Sequence, residues 1–436
     1  MTTLQKVENR EAVVGVVGLG YVGLPLVRAF ADAGFSVLGF DVDPEKVETL
    51  NAGGSYIEHV KPERIQQLRE DHAFEATCDF DRLREPDCIL ICVPTPLSDT
   101  REPDMTYVHD TAEAIARRLR DGQLVVLEST TYPGTTRELL LPMMQRTGLR
   151  VEEDFYLAYS PEREDPGNPT HTVTEIPKVV GAAGQRSLAV ASALYGAVAP
   201  RVVEVSSAAT AEATKLVENI YRAVNIALVN ELKVVFDAIG IDVWEVIEAA
   251  KTKPFGFNAF YPGPGWGGHC IPIDPFYLSW KARQFGATAH FIERAGEVNT
   301  SMTAFVVQKI TDALNRHRKS VNGSRILVLG VAYKPNVDDI RESPALPLID
   351  RLRKLGGDVS YHDPHIPAFP SLRHYPDLNL RSVELAEDVL TEQDVVVVVT
   401  DHDAYDYRWI AQNAGLIVDT RNAVPRENLK AEVVRA

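Results

Sequence analysis

The sequence predicts an α/β protein in which two Rossmann-like, doubly wound domains are joined by a central helical dimerisation domain. Residues 13–41 follow the order strand, glycine turn, helix and strand, which opens a parallel α/β domain. Residues 210–239 contain no Pro or Gly and place apolar residues at helical spacing. From Ser324 onward, strand and helix patterns alternate again. We therefore expect three domains, at 1–208, 209–320 and 321–436.

Short apolar runs supply the predicted strands of both α/β domains. Those of the first domain are VVGVVG (13–18), FSVLGFD (35–41), CILICV (88–93) and LVVLES (124–129), with YLAYS (156–160) and KVVGA (178–182) as candidate additions. Those of the last domain are RILVLGVAY (325–333), DVSYHDP (358–364), DVVVVVT (394–400) and GLIVDTRN (415–422), with a helix near 344–355. The last domain therefore loosely repeats the first.

The composition excludes several classes of protein. The chain has 436 residues, 45% of them hydrophobic, and a formal net charge of −16. So negative a chain is not expected to bind nucleic acid, because phosphate binding needs a basic surface. No apolar run reaches the ~18–20 residues of a membrane helix, and the first residues, MTTLQKVENREAV, lack the layout of a secretory signal. We expect a cytoplasmic protein with no membrane partner.

The first predicted turn carries a dinucleotide-binding pattern. The stretch GLGYVG places Gly18, Gly20, Tyr21, Val22 and Gly23 between a strand and a helix. Such glycines let a pyrophosphate approach backbone N–H groups at the helix N-terminus. Asp41 ends the next strand, where it would accept hydrogen bonds from ribose hydroxyls. Because Asp43 and Glu45 add negative charge, NAD is predicted over NADP; the alternative is a glycine turn that binds nothing.

Cys270 lies in an unusual stretch, GPGWGGHCIPIDP (263–275). The thiol could be a metal ligand, a packing residue or a nucleophile. No second Cys or His stands at metal-ligand spacing, so no metal is expected, and a packing cysteine would have apolar neighbours, as Cys88 and Cys92 do. Pro272 and Asp274 suit the first turn of a helix, whose N-terminus stabilises a thiolate. We interpret Cys270 as a nucleophile.

The last domain carries basic residues after its strands. Its first loop, YKPNVDDIRES, contains Lys334 and Arg341, and Arg421 follows a later strand. Loops at strand ends are where open α/β sheets bind ligands, and Lys and Arg there would suit a pyrophosphate. The alternative is solvated surface charge. Since only Gly330 follows the first strand, a second dinucleotide site is not expected.

Nine stretches together resemble the UDP-glucose/GDP-mannose dehydrogenase family, the nucleotide-sugar 6-dehydrogenases. They are GLGYVG, CVPTP (92–96), ESTTYPGTT (128–136), SPER (160–163), EATKLVEN (212–219), NE (230–231), GPGWGGHCIPIDP, YKPNVDDIRES and YHDP (361–364). The resemblance implies an NAD-binding first domain, a UDP-sugar-binding last domain and an NAD-dependent, four-electron oxidation of a sugar CH₂OH to a carboxylate. In such a reaction the Cys270 thiol adds to an aldehyde, and the thioester formed by the second oxidation is hydrolysed.

The resemblance also implies roles for individual residues. Lys215 and Asn219 stand four apart on one face of the long helix and would support the developing oxyanion, with Lys215 as acid/base. Asp274 would position a water or Lys215, and Thr130 and Glu162 would order water. Further contacts are implied for three groups of residues: to the cofactor from Thr95, Thr130 and Arg341; to the nucleotide sugar from Lys334 and Arg421; and to the substrate from Glu162, Arg163, Lys215, Asn219, Phe260, Tyr261, Gly265 and Gly267.

Two stretches bear on the choice of sugar. SPEREDPGN (160–168) and FGFNAFYP (255–262) resemble the branch that oxidises UDP-N-acetylhexosamines, especially UDP-N-acetylglucosamine. Pro166 replaces a second glutamate of the UDP-glucose pattern, so no role is carried over there. The alternatives are UDP-glucose 6-dehydrogenase, UDP-N-acetylmannosamine dehydrogenase, a two-electron dehydrogenase and, more remotely, a catalytically silent nucleotide-sugar sensor.

The long helix predicts self-association. Its apolar residues need a partner surface, and a two-fold related copy is the expected partner. The residues on which this expectation rests are Leu216, Ile220, Val224, Leu228 and Leu232. We therefore predict a homodimer or a dimer of dimers, in which residues 253–260 extend toward the sugar of the neighbouring subunit.

Overall fold

The computed structural model of this chain describes residues 1–57, 60–98, 100–163, 175–268, 270–372 and 374–436. Part of the stretch used to assign the sugar, 164–168, and His269 beside the predicted nucleophile lie outside the described residues. The chain divides into two compact units, Met1–Glu218 with Phe276–Thr288, and Asn219–Pro275 with Ala289–Ala436. The three-domain division stays a prediction.

The first unit is built on an eight-stranded sheet. Its strands are β1 (Val13–Val17), β2 (Ser36–Phe40), β3 (Phe74–Thr77), β4 (Cys88–Ile91), β5 (Leu124–Leu127), β6 (Tyr156–Tyr159), β7 (Lys178–Ala182) and β8 (Val202–Glu204). Its helices are α1 (Thr3–Glu8), α2 (Gly23–Asp32), α3 (Pro44–Asn51), α4 (Pro62–Glu70), α5 (Thr106–Ala116), α6 (Leu141–Gln145) and α7 (Gln185–Tyr195). The strand order is β3-β2-β1-β4-β5-β6-β7-β8, parallel throughout except between β6 and β7. The candidate strands YLAYS and KVVGA are thereby confirmed as β6 and β7.

Four helices follow in the middle of the chain. They are α8 (Ala208–Ile239), α9 (Val243–Lys251), α10 (Asp274–Gln284) and α11 (His290–Arg316). Helix α8 has 32 residues, begins two residues before the predicted 210–239 and ends where predicted. At about 1.5 Å per residue it spans roughly 48 Å.

The second unit carries a five-stranded parallel sheet. Its strands are β9 (Arg325–Leu329), β10 (Asp358–His362), β11 (Val395–Val398), β12 (Leu416–Asp419) and β13 (Glu432–Arg435), and its further helices are α12 (Ala345–Lys354), α13 (Glu387–Glu392) and α14 (Tyr407–Asn413). The order β10-β9-β11-β12-β13 is a doubly wound 2-1-3-4-5 arrangement. The predicted fold class, two α/β sheets with helices between them in the chain, is confirmed.

Both sheets are covered on both faces, as buried parallel strands require. In the first unit, alternate residues of β1 belong to two separate hydrophobic clusters, with Val14 and Val16 in one and Val17 in the other. Cys88 and Cys92 are buried, which confirms their prediction as core residues. Among the described residues, no helix is long and apolar enough to cross a lipid bilayer.

Helix α8 exposes an apolar stripe that differs in part from the predicted one. Leu216 is fully buried within the chain, so it does not need a partner surface. The large apolar residues that are 47% to 61% exposed on this helix are Val217, Tyr221, Leu228, Val235 and Ile239. Their spacings of four and seven residues place them on one face of the helix.

Candidate active site

The predicted residues of the first unit follow the carboxyl ends of neighbouring parallel strands. Gly18 follows β1, Asp41 follows β2, and Thr95, Thr130 and Glu162 come after β4, β5 and β6. Because these strands are parallel, the five residues lie along one edge of the sheet. The strand order reverses between β1 and β4, which is where open α/β sheets bind ligands.

The glycine turn has the geometry that a dinucleotide needs. Gly18 has a φ of +93°, and a Cβ built there would lie 2.6 Å from the Cys92 carbonyl oxygen. A Cβ at Gly23 would lie 1.9 Å from the Gly18 carbonyl oxygen, whereas one at Gly20 would have no atom within 4 Å. Helix α2 begins at Gly23 without a side-chain cap on its first amides. The turn therefore leaves space at a helix N-terminus that fits a pyrophosphate.

Asp41 lies beside this turn, held by backbone amides. One carboxylate oxygen accepts the Leu19 N–H at 2.9 Å and the other accepts the Asp43 N–H at 3.0 Å. The Tyr56 hydroxyl donates to the Leu19 carbonyl, and burial, together with the charges of Asp41 and Asp43, raises the pKa of Tyr56. A carboxylate placed here can still accept ribose hydroxyls, while its charge opposes a 2′-phosphate. The residues thus fit NAD.

The other predicted cofactor residues of this unit are all partly buried. Tyr21 and Val22 pack partly buried against the hydrophobic cluster behind the sheet. Thr130 and Thr95 are half-buried, and the Thr95 carbonyl accepts the Tyr277 hydroxyl at 2.7 Å. Thr95 and Thr130 thus lie on the same edge of the sheet as the glycine turn.

Glu162 and Lys215 meet in the first unit. The Lys215 ammonium, on a side chain that is almost fully buried, donates to the Glu162 carbonyl at 2.5 Å. One Glu162 carboxylate oxygen accepts the Arg163 N–H at 2.6 Å. The Arg163 guanidinium donates to Glu218 at 2.6 Å and to the Pro177 carbonyl at 2.6 Å, so it is bound to groups of the protein.

A buried cluster next to Glu162 was not predicted from the sequence. Lys178 at the start of β7 donates to Glu128 at 2.9 Å and to Glu162 at 3.4 Å, and the Tyr195 hydroxyl donates to Glu128. Burial and the nearby Glu162 raise the pKa of Glu128, against the lowering effect of Lys178. The available signal was a charged residue in each of two apolar strand runs, LVVLES and KVVGA.

The second unit contains Cys270 and two of its predicted helpers. Cys270 is exposed, and its carbonyl accepts the Asp274 N–H at 2.8 Å. Helix α10 begins at Asp274, which confirms the helix predicted after the thiol. The buried Asp274 carboxylate accepts the Asn219 side-chain amide at 2.5 Å. Asn219 is four residues after Lys215 on α8, as the spacing predicted.

The glycines before Cys270 allow close packing against the second α/β sheet. A Cβ at Gly267 would lie 2.8 Å from Pro344 and 3.1 Å from the Glu342 carbonyl oxygen. A Cβ at Gly263 would lie 2.8 Å from the Arg421 guanidinium. The loop is also anchored by the Gly263 N–H, which donates to the buried side chain of Asn230 at 3.0 Å. Any larger residue would displace the loop or its basic neighbour.

The basic residues of the second unit follow its strands as predicted. Lys334 and Arg341 come after β9, and Arg421 comes after β12. The Arg421 Nε donates to the Val399 carbonyl at 2.8 Å, and burial lowers its pKa. Arg341 pairs with Asp339 at 2.8 Å, and the half-buried Lys334 ammonium lies 5.7 Å from the Tyr333 ring centroid.

The remaining predicted substrate residues follow α9 in the chain. Phe260 packs at 5.8 Å, ring centroid to centroid, on Tyr221. Tyr261 stacks on Trp244 at 5.7 Å, and its hydroxyl donates to Glu248 at 2.5 Å. Gly265 is half-buried in the loop before Cys270. Over the described ranges no group of three or more His, Cys, Asp or Glu residues is arranged to hold a metal ion.

Comparison with known proteins gives matches along most of the chain. The NAD-binding domain of the UDP-glucose/GDP-mannose dehydrogenase family matches residues 12–199, its central domain matches 209–301 and its UDP-binding domain matches 327–426. A Pseudomonas aeruginosa UDP-N-acetyl-D-glucosamine 6-dehydrogenase is 35% identical, covering 83% of this chain and 85% of its own. A Ralstonia nicotianae NDP-N-acetyl-D-galactosaminuronic acid dehydrogenase is 36% identical, covering 90% and 91%. The solved structure of a Pyrococcus horikoshii UDP-D-ManNAc dehydrogenase is similar with a TM-score of 0.86 and 31% identity, covering 97% and 98%.

Proposed function

Because this chain belongs to the UDP-glucose/GDP-mannose dehydrogenase family and is an NAD-dependent dehydrogenase, we propose that it oxidises C6 of a UDP-N-acetylhexosamine to the carboxylate. The single observation that carries the four-electron reaction is the exposed Cys270 thiol in a close-packed glycine loop. The balance is RCH₂OH + 2 NAD⁺ + H₂O giving RCOO⁻, 2 NADH and 3 H⁺. An ordinary two-electron dehydrogenase would not need this thiol.

The proposed cofactor site is the glycine turn of the first unit. Gly18, Gly20 and Gly23, with Tyr21 and Val22, would hold the pyrophosphate, and Asp41 would bind the adenosine ribose. Thr95, Thr130 and Arg341 are proposed as further contacts. Bound NAD supplies a hydride acceptor in each of the two oxidations.

Cys270 is proposed as the nucleophile. Its thiolate adds to the carbonyl carbon of the aldehyde, which forms a C–S bond and a thiohemiacetal. Loss of a hydride and a proton from this adduct leaves a thioester on Cys270. Water then adds to the thioester carbon, the C–S bond breaks, and the carboxylate and the thiolate are released. The exposure of the Cys270 side chain supports its access to a substrate.

Five further residues are proposed to assist this chemistry. Lys215 and Asn219 would stabilise the oxyanion, with Lys215 also moving the proton of the alcohol. Asp274 holds the Asn219 amide at 2.5 Å, which supports its role in orienting that donor. Thr130 and Glu162 would order the attacking water, and the bond from Lys215 to the Glu162 carbonyl supports the grouping of Lys215 and Glu162 in one site.

The proposed substrate has a nucleoside diphosphate that basic groups would bind. Lys334 and Arg421 follow strands of the second sheet, and Arg421 faces the start of the glycine loop. The further residues proposed to contact the substrate are Arg163, Phe260, Tyr261, Gly265 and Gly267. Among these, the Arg163 guanidinium already binds Glu218, so substrate contact would require it to exchange that partner.

We propose UDP-N-acetylglucosamine as the sugar nucleotide. The stretch FGFNAFYP and the relatives named for N-acetylated sugars support an N-acetylhexosamine. The relatives include names for glucosamine, galactosamine and mannosamine configurations. The alternatives are therefore the mannosamine and galactosamine isomers and UDP-glucose, and a panel of UDP-sugars assayed for NADH formation separates them.

We further propose that the protein is a homodimer or a dimer of dimers that associates through α8. The exposed stripe of Val217, Tyr221, Leu228, Val235 and Ile239 supports this interface, since five large apolar side chains on one helix face favour burial against a second copy. Light scattering at assay concentration should give at least twice the mass of the chain. A fully active monomer would contradict the interface.

The proposed chemistry is tested by Cys270→Ser. We expect at least a ~10³-fold loss of uronic acid formation, because a hydroxyl is a much weaker nucleophile than a thiolate. Binding of UDP-N-acetylglucosamine, measured by calorimetry, should survive and serves as the control for folding. Two NADH per sugar from the wild type support the four-electron reaction. Near wild-type formation of the uronic acid by Cys270→Ser would rule out the thioester route.

A further inference from the structure

Three strand ends of the first unit bring together two glutamates and one lysine. Glu128 follows β5, Glu162 comes after β6, and Lys178 begins β7. The Lys178 ammonium lies 2.9 Å from one Glu128 oxygen and 3.4 Å from one Glu162 oxygen. Lys178 and Glu128 are buried, whereas 14% of the Glu162 side chain is exposed. The cluster therefore connects an internal ion pair to a carboxylate that solvent can reach.

This cluster contains two carboxylates and only one ammonium. Glu128 alone would neutralise Lys178, and the Tyr195 hydroxyl, which donates to Glu128, completes that pair. Glu162 adds a second carboxylate to the same ammonium. Burial opposes the charged form of Lys178, but Glu128 and Glu162 raise its pKa above the usual range, so the ammonium is retained. A pair built only for stability has no need of the second carboxylate.

Other charged and titratable groups also face this cluster. Cys92, at the end of β4, is buried, and its pKa is raised well above the usual range by burial and by Glu128. On α8, the Lys215 ammonium binds the Glu162 backbone carbonyl, and Glu218 pairs with Arg163 at 2.6 Å. The Tyr195 ring lies 5.3 Å from the Lys178 ammonium. Lys178 is thus a cation bound to the Glu162 carboxylate, while Lys215 binds the Glu162 backbone carbonyl.

We propose that Lys178 is a positioning residue for the reaction, which keeps the Glu162 carboxylate ionised and in one orientation. The proposal rests on the proposed function, in which Glu162 orders the water that hydrolyses the thioester on Cys270. Without the ammonium, Glu162 would lie near the buried Glu128 without the positive charge that Lys178 places between the two carboxylates. A carboxylate in that position takes up a proton more readily, and the protonated group is a weaker acceptor that cannot take a proton from the attacking water.

The test compares Lys178→Met with Glu128→Gln. Both variants break the same buried pair, but only Lys178→Met removes the cation beside Glu162. The rate of thioester hydrolysis is followed by the decay of the acyl adduct on Cys270, measured by intact-protein mass after rapid quenching at pH 5–9. The substrate is the UDP-sugar that gives the fastest NADH formation with the wild type.

In Lys178→Met, we expect the acid limb of the hydrolysis rate to move up by at least ~1 pH unit, since an adjacent opposite charge lowers a carboxyl pKa by about 1–3 units. The acyl adduct should then accumulate at neutral pH in Lys178→Met and should not accumulate in the wild type. In Glu128→Gln the acid limb should stay in place or move down. Lys178→Arg keeps the charge and should restore the wild-type profile.

A double variant keeps the proposal testable if Lys178→Met alone does not fold. Glu128→Gln with Lys178→Met removes both charges of the buried pair, and its acid limb should lie below that of Lys178→Met. An equal loss of rate in Lys178→Met and Glu128→Gln with no movement of either acid limb would overturn the Lys178 proposal alone. One NADH per sugar from the wild type would instead overturn the proposed function.

Discussion

Each α/β sheet has an aspartate that accepts backbone N–H groups of the loop after the neighbouring strand, and the two aspartates differ in their other partners. Asp41 follows β2 and Asp363 follows β10, and each accepts a backbone N–H from the loop after the neighbouring strand, at 2.9 Å from Leu19 and 2.7 Å from Val331. Gly18 and Gly330 both have positive φ, +93° and +79°. Their N–H groups donate to the last residues of β2 and β10.

The difference lies in what else the two carboxylates bind. Asp363 and His402 are both fully buried as side chains, and the His402 Nε2 lies 3.0 Å from an Asp363 oxygen. Asp363 also accepts the His365 N–H at 2.8 Å. Asp41 accepts two backbone amides and has the Lys46 ammonium 3.9 Å away. The aspartate of the second sheet therefore links the loop to a histidine, whereas the aspartate of the first sheet fits a ribose site.

The buried His402 distinguishes the second sheet from the first. The imidazole of His402 lies 3.0 Å from Asp363, and its Nδ1 accepts the Asn336 N–H at 3.0 Å. It thereby holds the loop that carries Lys334 and Arg341. We therefore expect the second sheet to bind a diphosphate through basic side chains rather than a ribose through a carboxylate.

Removal of Asp363 should have the largest effect on the stability of the protein. Asp363→Ala leaves the buried His402 and two loop amides without their acceptor, so we expect a destabilisation of about 3 kcal/mol or more. Amide hydrogen exchange of residues 331–341 should rise steeply. Asp41→Ala is the matched control. We expect it to destabilise the protein by about 1–2 kcal/mol and to raise amide hydrogen exchange in residues 18–24. Equal protection of 331–341 in Asp363→Ala and the wild type would show that the two aspartates do not differ in this way.

Removal of Asp41 should instead weaken the binding of the cofactor. In Asp41→Ala we expect NAD affinity to fall about tenfold and the gap to NADP to narrow, because a ribose acceptor and one negative charge are lost. Binding of both cofactors is measured by fluorescence titration. Asp363→Asn, which keeps a hydrogen-bonding side chain in the other loop, should leave NAD affinity unchanged. Equal wild-type affinity for NAD and NADP would argue against the role of Asp41.

The smallest effect concerns the acid stability of the second unit. Burial opposes ionisation of Asp363, but His402 and the loop amides hold its pKa below the usual range. Such a group stabilises the fold above its unfolded pKa of about 3.9, and this contribution is lost as the pH falls through the folded pKa. The stability difference between the wild type and Asp363→Asn should therefore be full near pH 7 and shrink below pH 4. A difference that is constant from pH 7 to pH 3 would contradict this origin.

Local sequence patterns determined much of the secondary structure of this protein. The glycine spacing in GLGYVG and the apolar runs placed β1, α2 and β2, and the absence of Pro and Gly from 210–239 predicted α8. The NAD cofactor and the family followed from motifs of this kind. These features could be predicted because each depends on the conformation of residues close together in the chain.

Tertiary structure alone decided which charged groups are paired and which apolar faces are exposed. Glu128 and Lys178 are 50 residues apart, and Asp363 and His402 are 39 apart, so no local pattern pairs them. The burial of Leu216 beside the exposed Val217 likewise depends on what packs against α8. The physical reason is that desolvation and charge pairing arise from atoms brought together by long-range packing, which local sequence preference does not contain.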